Sequence, residues 1–437
     1  MTIKTHLKKN ILLATPVVIG QIGHIMVGVA DSVMVGRLGV IPLAGATFAN
    51  SIFYVLFLFG IGVSNALTPL VSSTNPGNKP KLRSLLQNNI VLNLLLGVFI
   101  FLFTLLLSFF LSSFGQEEEV VSAATPYLII IGGSIIPVMV FQSFRQYAEG
   151  LSDTVTPMVV SIIGNLINIG LNYLLIYGKY GFPFLGLNGA GVASACSRLI
   201  MMFLMIYSTQ KLWKGLKRSF SIKKIKQQFK LGIPLGFQYV FEVGAFATAA
   251  IMIGWISAKA LAAHQIAISI VAVTYMSASG IATAASVRVG NQMGLKDRKN
   301  LRLAGFSSFW LVVAFMALCG VLLIVSRDLL PELYIEDPEV IQMASSLLII
   351  GAAFQISDGV QAVGLGTLRG LKDVYVPTAV TFIAYWLIAI PLAYFMAFHL
   401  EQGILGIWYG LFIGLTAAAV LHVRRFHLLS KRILFEL

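Results

Sequence analysis

Three carboxylates stand where a carboxylate is hardest to keep. Asp31, Glu242 and Asp358 each fall inside a long apolar run, whereas most other acidic residues lie between the runs. At the middle of a membrane span each costs roughly 2.5–3.5 kcal/mol on insertion scales. Hydrophobic neighbours cannot offset that, so each needs a cavity, a cation or a proton. Burial favours the protonated acid and a bound cation favours the ionised one. A group held between those two states suits the carriage of sodium ions or protons. The structural alternative is a carboxylate tied to a basic partner. Arg198 is the clear basic residue deep in a run, and one arginine cannot neutralise three acids.

Polar companions surround these acids. Asn165, Asn168 and Asn172 recur at helical spacing and make one face amide-rich. Amide oxygens ligate hard cations and equally join helices by hydrogen bonds; both readings stay open. Gln355, Ser357 and Gln361 flank Asp358, and Gln265 is expected to face a cavity with Glu242. Glu242 and Asp358, with Gln265, are on residue type candidates to bind Na+ or H+, as is Asp31. Asp31, Asn168, Asn172 and His24 are the polar candidates of the N-terminal half. His24 is a second titratable candidate, against the plainer reading of a hydrogen-bonded buried histidine.

The elements that must position these groups follow from composition. The chain has 437 residues, 57% hydrophobic and 11% charged, against about 25% charged in soluble domains. A water-soluble protein this apolar could not clothe its surface, so the expected solvent is lipid. Twelve runs, at 11–35, 46–71, 86–113, 122–148, 154–178, 186–210, 228–254, 260–288, 302–325, 339–366, 374–398 and 403–424, are predicted to cross the membrane as helices. The fold class is an all-α integral membrane protein. Cys196 and Cys319 lie in apolar runs without CxxC spacing, which argues against a disulfide or zinc site. The basic start, MTIKTHLKKN, leads into a first helix expected to be retained.

The net charge of +14 is arranged as topology. Lysine and arginine gather at the N-terminus, in the second, sixth and eighth loops and in the tail, while Glu117 to Glu119 and Glu332 to Glu339 lie on the other side. The positive-inside rule puts both termini in the cytoplasm and removes the nucleic-acid reading. Within the basic linker 211–230, Ile222, Ile225 and Phe229 share a helical face, which suits a short interfacial helix or else a solvated linker.

The halves repeat. At an offset of 218, Pro16 aligns with Pro234, Gly36 with Gly254, Leu43 with Leu261 and Gly62 with Gly280. At 220, GLSDTVTP (150–157) aligns with GLKDVYVP (370–377). Residues 1–210 and 231–437 are thus expected as two six-helix bundles. An even span count places their pseudo-two-fold axis along the membrane normal.

DSVMVGRLG (31–39), RQYAEGLSDTVTP (145–157), NLINIGLNYLLIYGKYGFPFLGLNGAGVA (165–193), GIPLGFQYVFE (232–242), AAHQIA (262–267), RVGNQMG (288–294) and FQISDGVQAVGLGTLRGLKD (354–373) together resemble the multidrug and toxic compound extrusion (MATE) transporters, in particular their NorM-like branch. The resemblance spans essentially the whole chain. It implies two bundles around a central cleft that opens alternately to each side, exporting organic cations and drugs against sodium or proton entry. It assigns coupling to acids at the places of Glu242 and Asp358, and matches Asp31, Asn168 and Asn172 to the polar cluster of the N-terminal half. Two positions depart from it: Phe354 stands where relatives often carry Tyr, and AISIVAV in the eighth span lacks an Asn that many carry.

The expected function is thus an ion-coupled efflux antiporter, monomeric, with small-molecule cations as substrates, no cofactor beyond the coupling ion, and no nucleic-acid partner. A flippase for lipid-linked sugars would more naturally line its cleft with Arg and Lys for phosphates. A membrane-embedded enzyme lacks an HExxH or cysteine–histidine arrangement here, and no GxxxxGK[ST] loop suggests ATP.

Overall fold

The computed structural model describes residues 2–213 and 220–432. Among them no strand occurs, and twelve helices are long and apolar enough to cross a membrane. We number these α1 (Ile3–Gly36), α2 (Val40–Ser72), α3 (Lys79–Ser108), α4 (Glu118–Gly150), α5 (Val155–Tyr177) and α6 (Gly186–Ser208) in the first half. The second half has α7 (Ile222–Ile256), α8 (Ala258–Gly294), α9 (Arg298–Val325), α10 (Pro338–Gly370), α11 (Tyr375–His399) and α12 (Gly403–Arg432). All twelve predicted spans are present. Several run further than predicted: α8 has 37 residues, about 55 Å at 1.5 Å per residue, against a hydrocarbon core of about 30 Å. The extra turns of α1, α7 and α12 are rich in Lys, Arg and His, which hydropathy alone leaves out.

The expected short interfacial helix needs correction. Ile222, Ile225 and Phe229 belong to the first turns of α7, which continues unbroken to Ile256. Part of the expected linker, 214–219, lies outside the described residues. Cys196 and Cys319 are both free.

Helix starts are written in the caps. Asn78 accepts from the Lys81 N–H at 3.2 Å, Ser257 from Ala260 at 3.0 Å, Asp297 from Asn300 at 2.9 Å and Asp337 from Glu339 at 2.9 Å, each satisfying an orphan donor of the first turn. At Asp297, the Asn300 backbone N–H and then its side-chain amide hold the carboxyl below its ordinary range. A folded-state value below the unfolded one adds stability that is present above about pH 4 and lost as pH falls through the lowered value. Asp297→Ala should cost about 1 kcal/mol at neutral pH. Thermal melts in detergent would show the gap to wild type closing below about pH 4; an equal gap at pH 7 and pH 3 would contradict this.

The chain divides into two compact units, one of Met1–Val18 with Phe237–Leu437 and one of Ile19–Gly236. The first is filled by Phe354, Tyr385, Trp408 and Phe426, the second by Leu128, Met139 and Tyr147, all 1% exposed or less. The units are not simply the sequence halves. Helices α1 and α7 each change unit just beyond Pro16 and Pro234, where a ring without an N–H breaks one backbone hydrogen bond. The leading end of α1 is fastened to its unit by polar contacts: Asn10 donates to Ser307 at 3.0 Å and Ser308 at 2.9 Å, and His6 meets Asn300 at 3.0 Å and Arg288 at 2.9 Å. The leading end of α7 is fastened likewise: Gln228 meets Asn89 at 3.3 Å and the Leu85 carbonyl at 3.0 Å, and Lys224 meets Ser84 at 2.8 Å. Asn10 and Gln228 are repeat mates, as are His6 and Lys224.

The repeat is also visible in close helix contacts. A Cβ on Gly150 would come within 2.7 Å of Val71, and one on Gly370 within 2.9 Å of Val289, its repeat mate. A Cβ on Gly62 would meet Gly236 at 2.6 Å, and one on Gly280 would meet Val18 at 2.4 Å. Small residues thus let the exchanged leading ends seat against α2 and α8.

Candidate functional site

Glu242 lies on α7 and Asp358 on α10, at 9% and 5% exposure. Tyr275 of α8 donates its hydroxyl to Glu242 Oε1 at 3.2 Å. Asp358 has no hydrogen-bond or ion-pair partner among the described residues. Thr274, beside Tyr275, donates to Gln355 one turn before Asp358, which brings the two carboxylates to the same level of the unit. Two acids at one site are relieved by sharing a proton or a cation. No group of three or more His, Cys, Asp or Glu among the described residues could hold a metal ion, so a cation here would meet two carboxylates completed by neutral oxygens.

The amides around Asp358 are already occupied. Gln355 accepts from Thr274 of α8 at 2.7 Å and donates to the Met316 carbonyl of α9 at 3.3 Å. Gln361 accepts from the Tyr385 hydroxyl of α11 at 3.0 Å, and Ser357 shares a 2.8 Å hydrogen bond with Thr416 of α12. These bonds tie α10 to four neighbours and fix the place of Asp358. Tyr385 reaches Gln361 from a π-helical stretch, Ile383–Ala389, that ends two residues before Pro391. A proline without an N–H leaves carbonyls of the preceding turn free, which favours the wider turn. From the same stretch Trp386 donates to the Phe241 carbonyl at 3.0 Å, bracing the backbone beside Glu242. Phe354 packs in an aromatic cluster, 5.8 Å from the Trp408 ring and 6.1 Å from that of Phe246.

Gln265 is not drawn into this cluster. It sits on an exposed face of α8, ten residues before Tyr275 and so about 15 Å away along the helix. Its neighbour His264 faces inward instead and accepts from Trp408 Nε1 at 3.1 Å.

The other unit holds a second cluster. Asn172 of α5 donates to Asp31 of α1 at 2.5 Å and to Asn168 at 3.1 Å, and Asn168 donates on to Ser194 of α6 at 3.3 Å. The Oδ1 of Asn172 and the amide nitrogen of Asn165 are buried without a hydrogen-bond partner among the described residues. Of the two uses weighed for the amide-rich face, these bonds are the joining of helices. His24 stays outside the network, exposed and without a hydrogen-bond partner among the described residues.

The family model described as MatE matches residues 16–174 and again 234–395, once in each half. The chain belongs to the MatE family. This MatE chain is 32% identical to the multidrug resistance protein MdtK of Pectobacterium atrosepticum, over 98% of its own length and 96% of the relative's. It is 33% identical to the multidrug resistance protein NorM of Photobacterium profundum, over 96% and 94%. Its fold is that of solved twelve-helix, two-lobed MATE structures. A eukaryotic MATE transporter, AtDTX14, superposes with a TM-score of 0.86 at 22% identity over 99% of this chain and 97% of that one. A multidrug resistance MATE family transporter in its outward-facing conformation gives 0.88 at 19%, over 98% and 96%.

In this MatE chain Arg198 forms no salt bridge with Asp31 among the described residues. It donates to the Ser134 hydroxyl and lies over the Phe53 and Phe57 rings at 5.5 and 5.6 Å. The structural alternative for the buried acids, capture by Arg198, is therefore not what the side chains do. Sequence reading missed Tyr275, Thr274, Tyr385 and Trp386. The signal available was the polar pair Thr274-Tyr275 inside an apolar run, which composition treats as ordinary helix filler.

Proposed function

We propose that the chain is a secondary active efflux antiporter, exporting organic cations and drugs in exchange for Na+ or H+ by alternating access, as a monomer with both termini in the cytoplasm of a bacterial membrane. One observation carries the reading: Asp358 is nearly enclosed, has no hydrogen-bond or ion-pair partner among the described residues, and shares its unit with a second enclosed acid, Glu242. Such a pair is costly until it takes up a proton or a cation. Two relatives named multidrug resistance proteins support the substrate class. Ion entry supplies about 2.3 kcal/mol per charge for each 100 mV, plus its concentration gradient. In this reading uptake of the ion at Glu242 and Asp358 stabilises one state of the transporter and substrate the other, with Gln265, His24 and the Asp31–Asn168–Asn172 chain acting along the path. The acidic character of the pair favours cationic cargo over a phosphate-bearing lipid.

Proteoliposomes containing the purified chain should export ethidium when a sodium gradient or a proton gradient is imposed, and the effective gradient names the coupling ion. Export driven by neither gradient would refute antiport.

A further inference from the structure

A groove of about 650 Å³ lies within one unit, between α9, α10 and α12, far along the chain from Glu242. Its walls are apolar: Ile356 and Val360 of α10 face Ala419, Val420 and Val423 of α12. At one end stand Arg424 and His427, one helical turn apart on α12 and both exposed. The neighbouring basic groups are already engaged. Arg425 pairs with Asp373 at 2.9 Å, and Arg302 donates to the Ser430 hydroxyl at 3.0 Å while lying 5.5 Å over the Phe306 ring. Arg424 has no hydrogen-bond or ion-pair partner among the described residues. No acidic residue lines the groove.

We propose that this groove is a binding site for an anionic membrane phospholipid, with its phosphate at Arg424 and His427 and one acyl chain along Ile356, Val360, Val420 and Val423. The charge end coincides with the basic tail of α12, where positive-inside topology places the anionic inner-leaflet headgroups. A helix surface with Val420 60% and Leu428 39% exposed suits acyl contact. A cationic amphiphile would meet a free guanidinium at the mouth, and a free phosphate ion would leave the apolar walls unused. The inner end of the groove is the Ser357–Thr416 hydrogen bond. Ser357 precedes Asp358 directly, so an occupant wedged between α10 and α12 bears on the position of that carboxylate.

The test is binding to the purified full chain, and it needs no transport. Native mass spectrometry and thermal melts would compare phosphatidylglycerol with phosphatidylcholine of the same chains. Phosphatidylglycerol should bind the wild type more tightly and raise its melting temperature more. Arg424→Gln should weaken that binding about fivefold, since one basic group near a headgroup contributes about 1 kcal/mol, while leaving phosphatidylcholine unaffected. Val420→Trp, which fills the groove from an exposed position, should weaken phosphatidylglycerol binding with Arg424 intact. Equal binding of the two lipids, or a phosphatidylglycerol preference retained in both variants, would overturn the proposal. So would competition by inorganic phosphate at millimolar concentration, which marks a plain anion site, or a lipid-independent dimer that Val420→Trp dissolves.

Discussion

Glu242→Gln and Asp358→Asn should each abolish gradient-driven ethidium efflux, leaving only leak, in cells matched for the amount of transporter in the membrane. The amides keep the shape of the acids and remove the charge that a proton or cation answers. Neither change should unfold the protein. Both carboxylates are nearly enclosed and Asp358 has no hydrogen-bond or ion-pair partner among the described residues, so neutralising it removes a cost rather than a support. Melting temperatures at neutral pH are therefore expected to stay level or rise. This separates lost coupling from lost folding. Tyr275→Phe should be milder, weakening ion dependence about fivefold, because one hydrogen bond to a carboxylate contributes about 1 kcal/mol net. Efflux by Glu242→Gln at a third or more of the wild-type rate would remove that residue from coupling.

Gly366→Val should prevent recovery of folded protein. A Cβ on Gly366 would lie 2.2 Å from the Ala282 carbonyl oxygen and 2.8 Å from its carbon. The obstacle is the backbone of α8, which no rotamer can relieve. The helices α8 and α10 would have to separate, and these carry Tyr275 and Asp358. The expected loss is about 3 kcal/mol or more, at the upper end for overpacking, read as a missing monodisperse peak in size exclusion and a collapsed melting temperature. Gly366→Ala should show the same defect in smaller measure. Gly28→Ala is the control: a Cβ there meets nothing within 4 Å, and the change should be neutral or slightly stabilising in a helix. Normal folding of Gly366→Val would mean that the two helices can part without penalty.

Much of this was legible from residue types. Twelve spans follow from the poor solvation of apolar runs, and the duplicated pattern follows from matches such as GLSDTVTP with GLKDVYVP. The backbone repeats that match: Ser152 and Lys372 both take positive φ, 70° and 63°, at the same place in the two turns. The buried acids could be named because a charge in an apolar run is conspicuous at any spacing. What surrounds them could not. Gln355, Gln361 and Ser357 look like ligands in the sequence, yet each is bonded to another helix. Gln265 and His264 are adjacent, and only helix rotation decides that the histidine faces in. Tyr275 was invisible because a tyrosine in an apolar helix has many uses.

The sequence by itself determined the solvent of this protein, its spans, its duplication and its membership of a family, because those depend on composition and order along the chain. Tertiary structure decided the rest. It decided that the leading ends of α1 and α7 are exchanged between units, that Arg198 rests on Phe53 and Phe57 rather than on an acid, and that Asp358 has no partner among the described residues. Those facts depend on which face each helix turns toward its neighbours. That rotation is set by close packing at Gly62, Gly280 and Gly366 and by hydrogen bonds across hundreds of residues, which no local pattern encodes.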